Sequence, residues 1–145
     1  MLLSTMEDNV KYHNTENVMT TLTYQDAARH LLAQGLEELA EGDSRQASEK
    51  GWGAAAQMIK AVASSRGWKH DNHAALYRVI GRLVKETGDD GIRSRFSTAN
   101  ALHQNFYENW GDTDYVAGDL ADVRELLDRL EPLLDHQGTH PLPTT

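Results

Sequence analysis

Between Asp43 and Arg66 the chain reads D-S-R-Q-A-S-E-K-G-W-G-A-A-A-Q-M-I-K-A-V-A-S-S-R. This spacing predicts a single helix with two kinds of face. Ser48, Trp52, Ala55, Ile59 and Val62 recur on one side, and Ala47, Gly51, Ala54 and Ala61 on another. Gly51 and Gly53 each cost about 1 kcal/mol relative to Ala inside a helix. A helix that keeps both needs an offset, and a close helix crossing supplies one, because small residues let a neighbouring backbone approach. Trp52 is the bulky anchor of this segment. Its indole N–H needs an acceptor if it is buried. The segment therefore calls for other helices packed around it.

The rest of the chain supplies them. Helix A is expected from about Tyr24 to Glu41, with Ala28, Leu31, Leu32, Leu36 and Leu39 on one face. Thr23 is its expected N-cap, Asp26 falls in its first turn, and Gly42 is its stop. The short link to Asp43 or Ser44, either of which can cap helix B, makes A and B an antiparallel hairpin. Gly67 stops helix B. Asp71 or Asn72 caps helix C, which runs to about Glu86 with Leu76, Val79, Ile80 and Leu83 inward. Thr87-Gly88-Asp89-Asp90-Gly91 is a break. Helix D is expected from about Gly91 to Trp110 and ends at Gly111-Asp112; helix E runs from about Asp114 to Leu134, with Pro132 stopping it. No stretch alternates apolar and polar residues convincingly. The expected fold is all-α, an antiparallel up-and-down bundle of four to five helices spanning residues 21–135. Residues 1–20 read as a disordered leader or extension, and 136–145 as a flexible tail.

There is no cysteine, which excludes disulfides, thiolate metal sites and a cysteine nucleophile. No window approaches the roughly 20 apolar residues that span a bilayer. A soluble cytoplasmic protein with no membrane partner is expected. The net charge of −8 argues against general nucleic-acid binding. It is unevenly spread: Lys50–Arg95 holds nine Lys/Arg against four Asp/Glu, or +5, and the remainder five against eighteen, or −13. A locally basic middle suits a phosphate-bearing ligand, although mixed charge on solvated helix faces explains it too. Arg78, Arg82 and Lys85 form a basic stripe on helix C, with no aromatic platform interleaved.

Three segments carry a family resemblance. The first is G-D-S-R-Q-A-S-E-K-G-W-G-A-A-A-Q-M-I-K-A in helix B. The second is Lys69-His70-Asp71-Asn72-His73 at the entry to helix C, and the third is Leu102-His103-Gln104-Asn105-Phe106-Tyr107-Glu108 in helix D. Together they resemble HEPN-type helical bundles, and more narrowly the archaeal PaREP-type branch, over roughly Tyr24 to Leu134. The resemblance implies a helical bundle that dimerises and binds a nucleotide, RNA or a protein partner. It also implies a toxin–antitoxin-type setting with a cognate nucleotidyltransferase-like protein. HEPN ribonucleases carry Arg, four to six residues, then His. Here Arg95 and His103 have seven residues between them, so the spacing is not met.

Two functional expectations follow, with a purely structural dimer as a third. In the first, the protein is a homodimeric binding module, with Glu49, Lys50, Trp52, His73, Asn100, Asn105 and Tyr107 as ligand-binding residues. In the second it is a metal-independent ribonuclease, with His103 as general acid/base and Arg95 stabilising the phosphate. Asn100, His103 and Tyr107 share one flank of helix D, and Glu49 is expected to reach the helix C entry or the surroundings of Lys60. His70, Asp71 and His73 lie close in sequence, but Asp71 is explained as a cap. No metal site and no cofactor are expected.

Overall fold

The computed structural model describes the backbone of residues 2–134 and the side chains of residues 18–134. The expected tail lies outside the described residues. Five helices follow in order: α1 (Leu2–Ala40), α2 (Ser44–Arg66), α3 (His73–Thr87), α4 (Asp90–Glu108) and α5 (Thr113–Leu130). A 3₁₀ turn, Glu131–Leu133, closes the series. The fold is an all-α bundle, with no strand among the described residues.

α2 is the centre. It packs against all four other helices, and 14 of its 23 residues are buried. The glycines do what their cost demands. A Cβ on Gly51 would lie 2.5 Å from Leu120 Cδ2 and 2.9 Å from Leu102 Cδ1. α4 and α5 therefore both press leucines onto the same bare backbone. On the opposite side, a Cβ on Gly35 of α1 would sit 3.2 Å from Lys50 Cβ, and one on Gly53 would sit 3.3 Å from Leu31 Cδ1. Around this axis Met58, Ile59 and Val62 of α2 meet Leu83 of α3, Leu102 of α4 and Leu120, Leu126 and Leu127 of α5 in one apolar core. Burial of these side chains is the main stabilising contribution, at about 25 cal/mol per Å² of apolar surface.

Caps fix where the helices begin. Asp43 accepts from Gln46 N at 3.1 Å, Asn72 from Ala75 N at 2.8 Å, Asp89 from Gly91 N at 3.0 Å and Asp112 from Tyr115 N at 2.8 Å. Gly42, Gly67 and Gly88 end their helices at φ of 87°, 71° and 71°, a conformation that costs glycine nothing.

Three boundaries differ from the periodicity reading. α1 begins at Leu2, not Tyr24. Thr23 is therefore not an N-cap; it sits inside the helix and its hydroxyl donates to Met19 O at 3.0 Å. Asp26 likewise lies far from the positive end of the helix dipole. Hydrophobic period reports a buried face rather than helical backbone, and no Gly or Pro interrupts residues 2–34. α4 stops at Glu108, short of Trp110, because Asn109 adopts φ 50° and takes the C-cap role. α5 stops at Leu130, and Pro132 falls in the 3₁₀ turn, where its missing N–H is harmless.

Ion pairs fasten the bundle. Arg29 of α1 binds Asp128 at 2.9 Å and Glu131 at 2.7 Å, and the Glu131 hydrogen bond is the main cause holding the guanidinium above its ordinary pKa. Arg66 binds Glu86 at 2.5 Å, and Arg129 binds Asp89 at 2.7 Å.

Candidate functional site

Trp52 is 8% exposed, and two imidazoles lie against its ring. The His73 ring stacks on the indole with centroids 5.0 Å apart and 28° between planes. The His103 ring lies 5.2 Å away at 34°. The two imidazoles are 6.3 Å from each other. Phe96 closes the inner side of Trp52 at 6.1 Å. Three helices meet here: α2 brings Trp52, the first residue of α3 brings His73, and α4 brings Phe96 and His103.

Two tyrosines extend the cluster outward. Tyr77, one turn after His73, lies 5.4 Å from its ring and 4.9 Å from Phe96, edge-on. Tyr107, one turn after His103, meets that ring edge-on at 5.3 Å and is 69% exposed. The result is a band of rings, buried at Trp52 and open at its rim. Asn100 donates a short hydrogen bond to the Tyr77 hydroxyl and ties α4 to α3.

His103 has a carboxylate partner. Its Nδ1 lies 3.2 Å from Glu49 Oε2, a contact between α4 and α2 across a half-buried surface. Such a contact fixes the ring plane and leaves Nε2 for another partner. Beside His73 is a cleft of about 210 Å³. Trp52, Ala56 and Leu76 form its apolar lining, and Lys60, Asp71, Asn72 and His73 its polar lining.

The sequence-expected residues separate into two groups. Glu49, Trp52, His73, Asn100, His103 and Tyr107 converge. Lys50, Asn105 and Arg95 do not. Lys50 turns to α1 and binds Glu38 Oε1 at 3.1 Å. Asn105 is 2% exposed; it donates to Ser48 Oγ at 2.7 Å and accepts from Gly111 N at 2.6 Å. Arg95 turns to α5, where its guanidinium binds Glu125 at 2.5 Å. Glu49 meets His103 rather than the helix C entry or Lys60.

Sequence reasoning missed Tyr77 and Lys60. The His73–Tyr77 step of four was the signal for the first. Nothing in the sequence marked the second. The basic stripe also differs from expectation. Arg82 of the stripe lies over the Trp68 ring at 3.8 Å, and Arg66 of α2 approaches the same ring at 5.1 Å, so an aromatic does sit beside one of these cations. His70 is drawn away from His73; its Nδ1 contacts Trp68 O at 2.9 Å. Among the described residues no group of three His, Cys, Asp or Glu side chains is placed to hold a metal ion. No described helix is long and apolar enough to cross a membrane.

No curated protein and no solved structure matches this chain. Residues 23–127, however, match the model of the archaeal PaREP1/PaREP8 family. That span includes α2, α3 and α4 and every ring of the cluster, and with most of its length matched the chain belongs to the archaeal PaREP1/PaREP8 family.

Proposed function

We propose that the protein is a binding module for a nucleotide or single-stranded RNA, and that the ring band around Trp52 is its contact surface. One observation carries this reading: His73 and His103 flank a buried indole, Tyr77 and Tyr107 extend them outward, and these partly exposed rings lie beside a cleft lined by a lysine. Bases stack on such rings at about 1–3 kcal/mol each, and the lysine answers the phosphate charge. The mostly polar lining of the cleft, with Trp52, Ala56 and Leu76 as its apolar part, suits a ligand with both kinds of group. The test is calorimetric titration of a short mixed-sequence RNA and of free nucleotides at two salt concentrations. Wild type binds, more weakly at the higher salt, and His73→Ala and Tyr107→Ala, both at exposed positions, bind less. Absence of binding by RNA and nucleotides alike rejects the reading.

The Glu49–His103 contact favours a second reading, metal-independent ribonuclease activity with His103 as general acid/base. Arg95, engaged by Glu125, does not supply the phosphate contact in this arrangement. Cleavage that is unchanged in His103→Ala rejects it. The HEPN-like affiliation and the homodimer belong to the same proposal. The all-α five-helix bundle supports the first. For the second, Trp110 and Tyr115 are 49% and 52% exposed at the α4–α5 end, where a second copy would cover them. Light scattering on the purified chain tests the dimer. Whether a nucleotidyltransferase-like protein partners it is tested by co-purification of the two.

A further inference from the structure

Lys60 is an exception among the cations of this bundle. Arg29, Lys50, Arg66, Arg95 and Arg129 are partly buried, and each holds a carboxylate at 2.5–3.1 Å. Lys60 is partly buried too, but among the described residues it has no carboxylate partner. In a chain of net charge −8 such a vacancy is not forced by any shortage of acids. Lys60 is among the residues that line the cleft of about 210 Å³ beside His73. Ligand pockets that enclose a whole small molecule run to about 300–1,000 Å³, so this cleft holds only part of one. Its other polar groups are His73, Asp71 and Asn72; the Asp71 carboxylate and the amide Nδ2 of Asn72, whose Oδ1 caps α3, suit hydroxyl groups. The Asp71 carboxylate is partly offset by Lys69 at 3.9 Å.

We infer that this cleft is the sugar–phosphate subsite of a nucleoside monophosphate, with Lys60 taking the phosphate, Asp71 and Asn72 the sugar hydroxyls, and the base lying outside on the His73 and Tyr77 rings. The inference rests on the nucleotide-binding reading above and makes it specific. A phosphate bound to a lysine ammonium forms charge-assisted hydrogen bonds, about twice as strong as neutral ones. The base contributes separately, by stacking. The two contributions are therefore separable by experiment.

The experiment titrates wild type and Lys60→Met with the four ribonucleosides, their 5′-monophosphates, inorganic phosphate and a short RNA with or without a 5′-phosphate. Circular dichroism melting confirms that the variant folds. In wild type, at least one monophosphate binds about tenfold or more tightly than its nucleoside. Lys60→Met removes that advantage and leaves nucleoside affinity within about twofold. The advantage shrinks as salt rises. A preference for the 5′-phosphorylated RNA over its 5′-hydroxyl form shows that an RNA end supplies the phosphate; no such preference leaves the free nucleotide as its source. Equal binding of nucleoside and monophosphate, or an advantage that survives Lys60→Met, overturns the subsite while the stacking surface stands. Binding of neither nucleosides nor nucleotides overturns both.

Discussion

His103 on α4 and Glu49 on α2 face each other across 3.2 Å, 54 residues apart in the chain. The contact is half-exposed on both sides, at 31% and 34%. Pairs of that kind add little to stability, about 0–1 kcal/mol. Its effect is on orientation: the carboxylate sets which edge of the imidazole faces the ring band. Glu49→Ala is expected to change the melting temperature by only a few degrees while weakening nucleotide binding by about threefold to tenfold. Parallel melting and calorimetric titration check this; a large loss of stability with unchanged binding would show that the pair is structural.

Gly51 and Gly81 form a matched test of the central crossing. Nothing lies within 4 Å of a Cβ placed on Gly81, so Gly81→Ala is expected to stabilise α3 by about 0.5–1 kcal/mol. At Gly51 the same gain is opposed by Leu120 and Leu102, both buried at 1% exposure. Both belong to the packed core, so moving them disturbs their neighbours, and overpacking costs about 1–3 kcal/mol. Gly51→Ala is therefore expected to be net destabilising, by about 1 kcal/mol or more. Urea unfolding of both variants decides it.

Asn105 is placed to hold the fold rather than to touch a ligand. It joins Ser48 on α2 to the Gly111 N–H in the α4–α5 connection. Asn105→Ala leaves the part-buried Gly111 N–H without its acceptor, while Ser48 Oγ keeps its bond to Ser44 O, and is expected to cost about 1–3 kcal/mol. Chemical denaturation measures the loss. A variant of near wild-type stability that fails to bind nucleotide would return Asn105 to the ligand-binding set.

Asp119 introduces a pH dependence. Burial, and secondarily the neighbouring Asp122 charge, push its carboxyl up to about 6 from 3.8. The folded state thus holds the proton more tightly than the unfolded chain does. The charged form costs stability at neutral pH, and that cost disappears as pH falls through 6 and below 4. Asp119→Asn is expected to be more stable than wild type at pH 7, by about 1 kcal/mol once solvent screening is allowed for. The difference should vanish near pH 3.5. Melting curves across that range check both the sign and the window.

Nearly all of the architecture was legible in the residues. The starts of α2 and α3 and the stops at Gly42 and Gly67 were read from local chemistry, an Asp or Asn side chain reaching a backbone N–H three residues on and Gly at positive φ, whereas Asp89 and Asp112, which cap α4 and α5, were read only as a break and as the end of helix D. The close approach at α2 was implied by Gly51 and the surrounding alanines. The start of α1 was not legible, because the apolar period that marks a buried face sets in only where α1 meets the bundle. The composition of the site was half legible. His73 and Tyr77, or His103 and Tyr107, are single-turn steps that spacing alone brings onto one flank.

What the sequence alone determined is the class of fold, the central place of the Asp43–Arg66 segment and Trp52 as its anchor. Periodicity, caps and small residues are local properties, and they act within a few residues of where they are written. Only the tertiary structure decided that Glu49 meets His103, that Arg95 goes to Glu125 and Lys50 to Glu38, and that Lys60 has no such partner. Those outcomes depend on which faces of α1, α2, α4 and α5 are turned together. The leucines seated on Gly51 fix that rotation, and a long charged side chain then pairs with whichever carboxylate the packed helix presents.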